Sequence, residues 1–225
     1  MSLWTATEIA AAIGTECPDM DWEVCGISID TRTIQNNELF IALKGNTSDG
    51  TLYVDDAIAK GAAGAIAGKS YNGKYLDKVF RVDDTLVALC ALAAAARARS
   101  HAKIIAVTGS VGKTSTKEML AHSLAAAGRV HATQGNLNNH FGLPLTLARM
   151  PRETEFAVLE MGMNHGGEIT PLTTLAQPDI AIITNVDAVH LEYFENVGAI
   201  ADAKAEILAG LNPDTGIAIL NRDNP

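Results

Sequence analysis

The run Val107-Thr108-Gly109-Ser110-Val111-Gly112-Lys113-Thr114-Ser115 carries the clearest chemistry in the chain. An apolar stretch, Ile104–Val107, leads into it, and a helical pattern from about Lys113 to Ala127 leads out. Glycines let backbone amides turn inward around phosphate oxygens, and the first turn of the helix adds a favourable dipole. In that setting Lys113 neutralises the β- and γ-phosphates of ATP, and the Thr114 hydroxyl ligates Mg²⁺. The longer form of such a loop has glycine where Val107 stands, so this is the shorter Gly-x-x-Gly-Lys-Thr form. Residues Thr108, Gly109, Ser110, Val111, Gly112, Lys113, Thr114 and Ser115 are therefore predicted to bind ATP.

Four further residues could complete a site. Glu160 closes the apolar run Phe156–Leu159, and a carboxylate at such a strand end beside a phosphate loop is a Mg²⁺ ligand. The plainer alternative is a surface glutamate. His190 follows the run Ile180–Ile183 after the polar stretch Asn185–Val189, where a structural histidine and a metal ligand are both open readings. His165 lies in the polar loop Met163–Glu168 directly after Glu160. Lys204 falls in the apolar stripe of a helix predicted over 197–211, capped by Asn196 and built on Val197, Ile200, Ala201, Ile207, Leu208 and Leu211. An ammonium there must reach out to water, find a partner or lose its charge. A neutral amine at this position is a nucleophile that takes up CO₂, and the resulting carbamate is a metal-binding carboxylate.

The elements that must position these groups follow from the hydrophobic pattern. A first helix is capped by Thr5, with Glu8 as its capping-box partner and Gly14 as its end. Strands are predicted at Val24–Ile29, Leu39–Leu43, Ala63–Ala67 and Val79–Val82, with helices at Val54–Lys60 and Thr85–Arg99. From Ile104 onward, apolar runs alternate with helical stretches: Ile104–Val107, a weaker Val130–Ala132, Phe156–Leu159, Ile180–Ile183 and Ile217–Leu220. The fold class read from this is α/β. A small N-terminal α/β domain (1–83) and a connecting helix (84–102) precede a mostly parallel, doubly wound P-loop ATPase domain (103–225). In such sheets ligands gather beyond the carboxyl ends of the strands, which is where the polar residues recur.

Composition narrows the function classes. The 225 residues carry 26 Asp+Glu against 17 Lys+Arg, a net charge of −9, which argues against nucleic acid or an anionic membrane as partner. Charged residues make up only 19%, and the mean hydropathy of +0.12 excludes a disordered chain. The N-terminus has no export signal, and Leu86–Ala96 is well short of the ~20 apolar residues a membrane span needs. Cys17, Cys25 and Cys90 form neither a disulfide framework nor a metal knuckle, so reduced thiols in a cytoplasmic protein are expected.

Several stretches together resemble the Mur ligase family, the ATP-dependent amide-bond formers of peptidoglycan synthesis. They are the loop Thr108–Thr114, the segment Glu160-Met161-Gly162-Met163-Asn164-His165-Gly166-Gly167-Glu168-Ile169, and His190-Leu191-Glu192 through Ala203-Lys204-Ala205-Glu206-Ile207. Within the family, Gly135-Asn136-Leu137-Asn138-Asn139-His140-Phe141-Gly142-Leu143-Pro144 is similar to the loop of the branch that adds D-alanyl-D-alanine. The resemblance implies that Lys113, Lys204 and His190 serve catalysis. It implies two Mg²⁺ ions, one on Thr114 and Glu160 and a second held by His190 and a carbamylated Lys204. Asn138, Asn139, Asn164 and His165 would line the substrate region. Ser28, Asp30, Thr31, Arg32 and Lys44 would take the uridine-diphosphate end of the substrate.

The reaction so implied is phosphorylation of the terminal carboxylate of UDP-MurNAc-tripeptide by ATP to an acyl phosphate, which the amine of D-Ala-D-Ala then attacks. A monomer is expected. Other Mur-type ligases, including folylpolyglutamate-like ones, remain alternatives, as do a nucleotide-binding fragment without activity and a P-loop kinase. The kinase reading leaves Lys204 and residues 1–83 without a role. The family implies much longer chains, so 225 residues are expected to be an N-terminal piece that binds but does not ligate alone.

Overall fold

The computed structural model describes residues 2–17, 22–45, 48–189 and 192–224, and the chain divides into two compact units, Met1–Ala96 and Arg97–Pro225. The first contains β1 (Trp4–Thr5), α1 (Ala6–Ile13), β2 (Glu23–Val24), β3 (Gly26–Ser28), β4 (Glu38–Ile41), α2 (Val54–Ala59), β5 (Gly64–Gly68), β6 (Val79–Val82) and most of α3 (Thr85–Ala98). The capping box forms as the sequence predicts. The Thr5 hydroxyl accepts from the Glu8 amide at 3.2 Å, and the Glu8 carboxylate accepts from the Thr5 amide at 3.0 Å.

Strands β3-β4-β5-β6 make a parallel sheet in that order, and Phe40, Ala65 and Val79 from it pack with Val54 and Ile58 of α2. The single strand expected over Val24–Ile29 is two. Val24 pairs with Trp4 in an antiparallel ribbon, whereas Gly26–Ser28 pair with Glu38–Phe40. The chain changes partner at Cys25, whose amide donates to the Asn37 carbonyl. Gly26 permits that approach, since a Cβ there would lie 2.7 Å from a Glu38 carboxylate oxygen.

The second unit comprises β7 (Lys103–Thr108), α4 (Lys113–Leu124), β8 (Val130–Ala132), α5 (Gly142–Ala148), β9 (Phe156–Glu160), α6 (Ile169–Ala176), β10 (Ile180–Ile183), α7 (Val197–Ala205) and β11 (Ile217–Leu220). Its five strands are all parallel in the order β11-β10-β7-β9-β8, a doubly wound α/β sheet as expected. Ile105, Val107 and Val158 face Leu120 and Leu124 of α4, while Ile104, Ala106 and Ala157 alternate to the other face and are equally buried. Both faces of β7 are thus covered, which is why its sequence reads as an unbroken apolar run. Each of the Ile, Val and Leu side chains contributes about 1.5–3 kcal/mol on full burial.

The chain leaves β7 toward β8 on one side and leaves β9 toward β10 on the other, so the carboxyl ends of β7 and β9 flank a topological switch point. Register places Val107 beside Glu160 and Thr108 beside Ile183. This pairing sets the site.

The helix expected over 197–211 is α-helical only to Ala205 and tightens to a 3-10 turn over Glu206–Gly210. The cause lies outside the helix. Glu206 accepts from the amides of Gly167, Ile169 and Thr170 at the start of α6, and the Thr173 hydroxyl donates to the Ile207 carbonyl. Gly210 lies against Thr173 so closely that a Cβ there would come within 2.3 Å of the Thr173 carbonyl oxygen. Val197, assigned to the buried stripe, is exposed; the buried residues are Ile200, Ala203, Lys204 and Ile207. No helix among the described residues is long and apolar enough to cross a membrane.

Candidate active site

The loop between β7 and α4 is shaped by its glycines and pinned by the segment after β10. Gly109 has φ +151°, and a Cβ on it would sit 1.9 Å from the Thr184 hydroxyl oxygen; Gly112 has φ +82°. The Thr184 hydroxyl donates to the Val111 carbonyl at 2.6 Å. The Val111 amide donates to the Asn185 side-chain oxygen at 3.0 Å, and the Ser110 hydroxyl donates to the Asp187 carbonyl at 3.1 Å. The tip of the loop is therefore anchored by residues more than seventy positions away in sequence.

Inside the loop, Lys113 Nζ donates to the carbonyls of Gly109 at 2.7 Å and Ser110 at 3.3 Å. Burial lowers its pKa, and the Glu160 carboxylate partly opposes that. The Thr108 hydroxyl is buried and has no hydrogen-bond partner among the described residues. An orphaned hydroxyl, an inward-turned lysine and a glycine cradle that a Cβ would fill all fit a phosphate chain.

Glu160, 2% exposed, is held from several directions. Thr114 Oγ1 donates to Oε2 at 3.0 Å, and Asn138 Nδ2 donates to Oε1 at 2.7 Å. Its own amide donates to Thr133 Oγ1 at 3.0 Å. A hydroxyl and a carboxylate in contact are hard oxygen donors of the kind Mg²⁺ takes, so the pair fits the ion. No group of three or more His, Cys, Asp or Glu side chains suited to a metal occurs among the described residues. His190, the other ligand expected from sequence, lies outside the described residues.

Lys204 is 2% exposed, so it does not reach out to water, and it has no hydrogen-bond or ion-pair partner among the described residues. Desolvation, reinforced by repulsion from Lys113, brings its pKa down to about 8. Of the three outcomes open to a lysine in this stripe, its surroundings bring loss of charge within reach just above neutral pH.

The other predicted positions separate. Asn138 joins Glu160, whereas the Asn139 side-chain oxygen accepts from the amides of Phe141 and Gly142 at the start of α5. The Asn164 amide donates to Glu168, and His165 is an exposed ring beside Glu168 and Tyr193. Sequence reading missed Thr133, Thr184 and Lys117. Lys117 has a legible signal: it lies one helical turn beyond Thr114, on the face that α4 buries.

In the first unit, Asp30, Thr31 and Arg32 line a cavity of about 460 Å³ together with Phe40 and Tyr53; Ser28 and Lys44 do not line it. Buried Ser28 shapes the turn, its hydroxyl donating to the Asp30 carbonyl at 3.1 Å, while the backbone of Lys44 pairs with that of Asp49 in an isolated antiparallel β-bridge. Arg32 makes a two-pronged pair with Asp30, with contacts of 2.6–3.0 Å, and its hydrogen bonds hold the Asp30 pKa down at about 2. The stability this contributes is fully present above pH 3.8 and is lost as pH falls through about 2. Replacing Arg32 with alanine is expected to return the Asp30 midpoint toward 3.8, read by carboxyl ¹³C NMR titration. An unmoved midpoint would show that the turn's backbone amides, not the guanidinium, set it.

Two family models cover the chain: the Mur ligase family catalytic domain matches residues 23–127, and the Mur ligase middle domain matches residues 107–225. The second match spans the unit in which a glycine loop on an all-parallel doubly wound sheet faces a buried carboxylate, and the chain belongs to the Mur ligase family.

Among its relatives, the UDP-N-acetylmuramoyl-tripeptide–D-alanyl-D-alanine ligase of Bacillus subtilis is 46% identical over 201 residues, 89% of this chain and 44% of that protein. The crystal structure of MurF from Acinetobacter baumannii superposes with a TM-score of 0.84 at 34% identity, covering 98% of this chain and 49% of that one. The Thermotoga maritima MurF ligase in complex with ADP has a TM-score of 0.76 at 32% identity, covering 89% and 46%. The chain spans about half the length of the curated relatives it matches.

Proposed function

We propose that this chain supplies the nucleotide and UDP-substrate sites of an ATP-dependent ligase that adds D-alanyl-D-alanine to UDP-MurNAc-tripeptide through an acyl phosphate. The observation that carries the reading is the hydrogen bond from Asn138 to Glu160, with Thr114 on the other carboxylate oxygen. It joins the Asn-Leu-Asn-Asn loop, the mark of the D-Ala-D-Ala-adding branch, to the phosphate loop within one small cluster.

In this reading the loop amides and Lys113 hold the ATP phosphates, and Thr114 with Glu160 would hold Mg²⁺. A second ion would rest on His190 and a carbamylated Lys204. Bound Mg²⁺ supplies positive charge where the anionic reactants meet. A chain of net charge −9 needs such local positive charge to receive two anionic substrates. Asn139, Asn164 and His165 are proposed for the acceptor side, and the cavity at Asp30, Thr31 and Arg32 for the uridine-diphosphate end, with Ser28 and Lys44 shaping its rim. The protein acts in the cytoplasm, as a monomer, on small-molecule substrates, with neither nucleic acid nor membrane as partner.

Calorimetry on the 225-residue chain tests the binding half of the proposal. Mg·ADP and UDP-MurNAc-tripeptide should each bind, independently of one another. Folded chain that binds neither would overturn the reading. D-Ala-D-Ala-dependent phosphate release from ATP, assayed with the tripeptide present, tests the catalytic half. Nucleotide binding with phosphate transfer to an unrelated small molecule would instead favour a kinase.

A further inference from the structure

Lys117 is among the most deeply buried large side chains of the protein, 1% exposed, and no step above uses it. It lies on α4, three residues beyond Thr114 and four beyond Lys113, and so points to the same side of the helix as both. Its Nζ donates to the Thr133 carbonyl at 2.7 Å and pairs with Glu118 at 2.6 Å. Thr133, just past β8, is itself 2% exposed and is tied to β9 twice: its amide donates to the Val158 carbonyl, and its hydroxyl accepts from the Glu160 amide.

Glu160 is consequently gripped at two points by residues one turn apart on a single helix. Thr114 holds the carboxylate directly. Lys117 holds the backbone of the same residue through Thr133. A buried ammonium is costly unless it is well bonded, and an apolar side chain would fill this space without that cost. What a lysine adds is a hydrogen bond of defined length to one carbonyl, which an apolar group cannot make.

We infer that Lys117 is a positioning residue. It sets the distance between the phosphate loop and Glu160 by locking the end of β8 to α4, so that Thr114 and Glu160 are pre-arranged for Mg²⁺. The inference rests on the proposed Mg·nucleotide site for its consequence, but the locking itself is a property of the unliganded chain.

The test uses Lys117→Met, Thr133→Val and Thr133→Ser in the 225-residue chain. Without ligand, exchange of the Glu160 amide should quicken at least tenfold in Lys117→Met and Thr133→Val, with amides of β7 and β10 within threefold of the parent. Thr133→Ser keeps the hydroxyl and should behave as the parent does. With ligand, the affinity for Mn·ADP should fall about tenfold in the first two variants, while ADP affinity in EDTA changes less than threefold.

Unchanged Glu160 exchange in Lys117→Met would overturn the inference, as would equal losses of affinity with and without metal. If Lys117→Met fails to fold, Lys117→Gln, whose terminal nitrogen is one bond short of the Thr133 carbonyl, is read in its place, while Thr133→Val and Thr133→Ser test the hydroxyl link to Glu160. A parent chain that binds no nucleotide would sink the proposed function, and the exchange result would still decide whether Lys117 positions Glu160.

Discussion

Replacing Lys113 with alanine is expected to weaken Mg·ADP binding by about 100-fold or more, with the fold retained. Removing one partner from a buried, hydrogen-bonded charge pair costs about 2–5 kcal/mol, and each ~1.4 kcal/mol is tenfold in affinity. Lys113 is already turned into the loop, its Nζ on the Gly109 and Ser110 carbonyls, so a phosphate meets a pre-oriented cation. The loop's shape does not depend on it. Thr184, Asn185 and the Ser110–Asp187 pair hold the backbone from outside, so the unfolding midpoint should move by only a few degrees. Lys113→Arg should rescue poorly, because a planar guanidinium fork does not fit where a compact ammonium does. A loss below fivefold in the alanine variant would remove Lys113 from the phosphate site.

The second large effect is on stability, and it has the opposite sign. Lys204→Met is expected to stabilise the metal-free chain at pH 7 by on the order of 2 kcal/mol, discounted from ~1.4 kcal/mol per unit of pKa shift. The folded pKa of Lys204 is about 8 against 10.5 for the free side chain. Below pH 8 the amine is protonated in both states and the native chain carries the full desolvation penalty. Between pH 8 and 10.5 the unfolded chain binds more protons than the native one, so stability rises with pH and the penalty is gone at the top of that window. Urea unfolding in EDTA and CO₂-free buffer should show this rise for the parent and a flat response for Lys204→Met. A variant less stable at pH 7 would mean that the ammonium has a strong native partner. Bicarbonate offers a direct check on the carbamate: it should stabilise the parent near pH 8 and leave Lys204→Met unchanged.

The two lysines illustrate how differently a sequence speaks about its own site. Lys113 is legible because the geometry a phosphate loop needs is local: a buried strand, two glycines and a helix start lie within a dozen residues. Lys204 was legible as a problem, a charge in an apolar stripe, since helical periodicity alone puts it there. Its resolution was not legible. Whether an ammonium reaches water or is stripped of it depends on what packs against the helix, and here Lys113 adds its repulsion from a segment ninety-one positions earlier.

The misreadings have the same origin. Val24–Ile29 reads as one strand because Val24, Ile27 and Ile29 suit a pleated sheet, yet the partners on either side of Cys25 belong to different sheets. The helix after Asn196 has a uniform local preference up to Leu211, but Glu206 is drawn to the amides at the start of α6 and the last turn tightens. Asn138 and Asn139 are neighbours of one type, and only the direction of the chain at that corner sends the first to Glu160 and the second to the start of α5.

By itself, then, the sequence determined the α/β alternation, the capping of α1, the shape of the glycine loop and the place of Lys204 in an apolar stripe, all of which follow from short-range sterics and periodicity. Tertiary structure alone decided that Glu160 lies beside Thr114. That contact needs β9 to be inserted between β7 and β8 with Val107 in register with Glu160, and strand order is set by how whole layers bury their faces. It also decided that the loop is anchored by Thr184 and Asn185, and that Lys117 and Thr133 brace the carboxylate from behind. These are hydrogen bonds across wide sequence separations, favourable only once the hydrophobic layers have brought their partners together and excluded water.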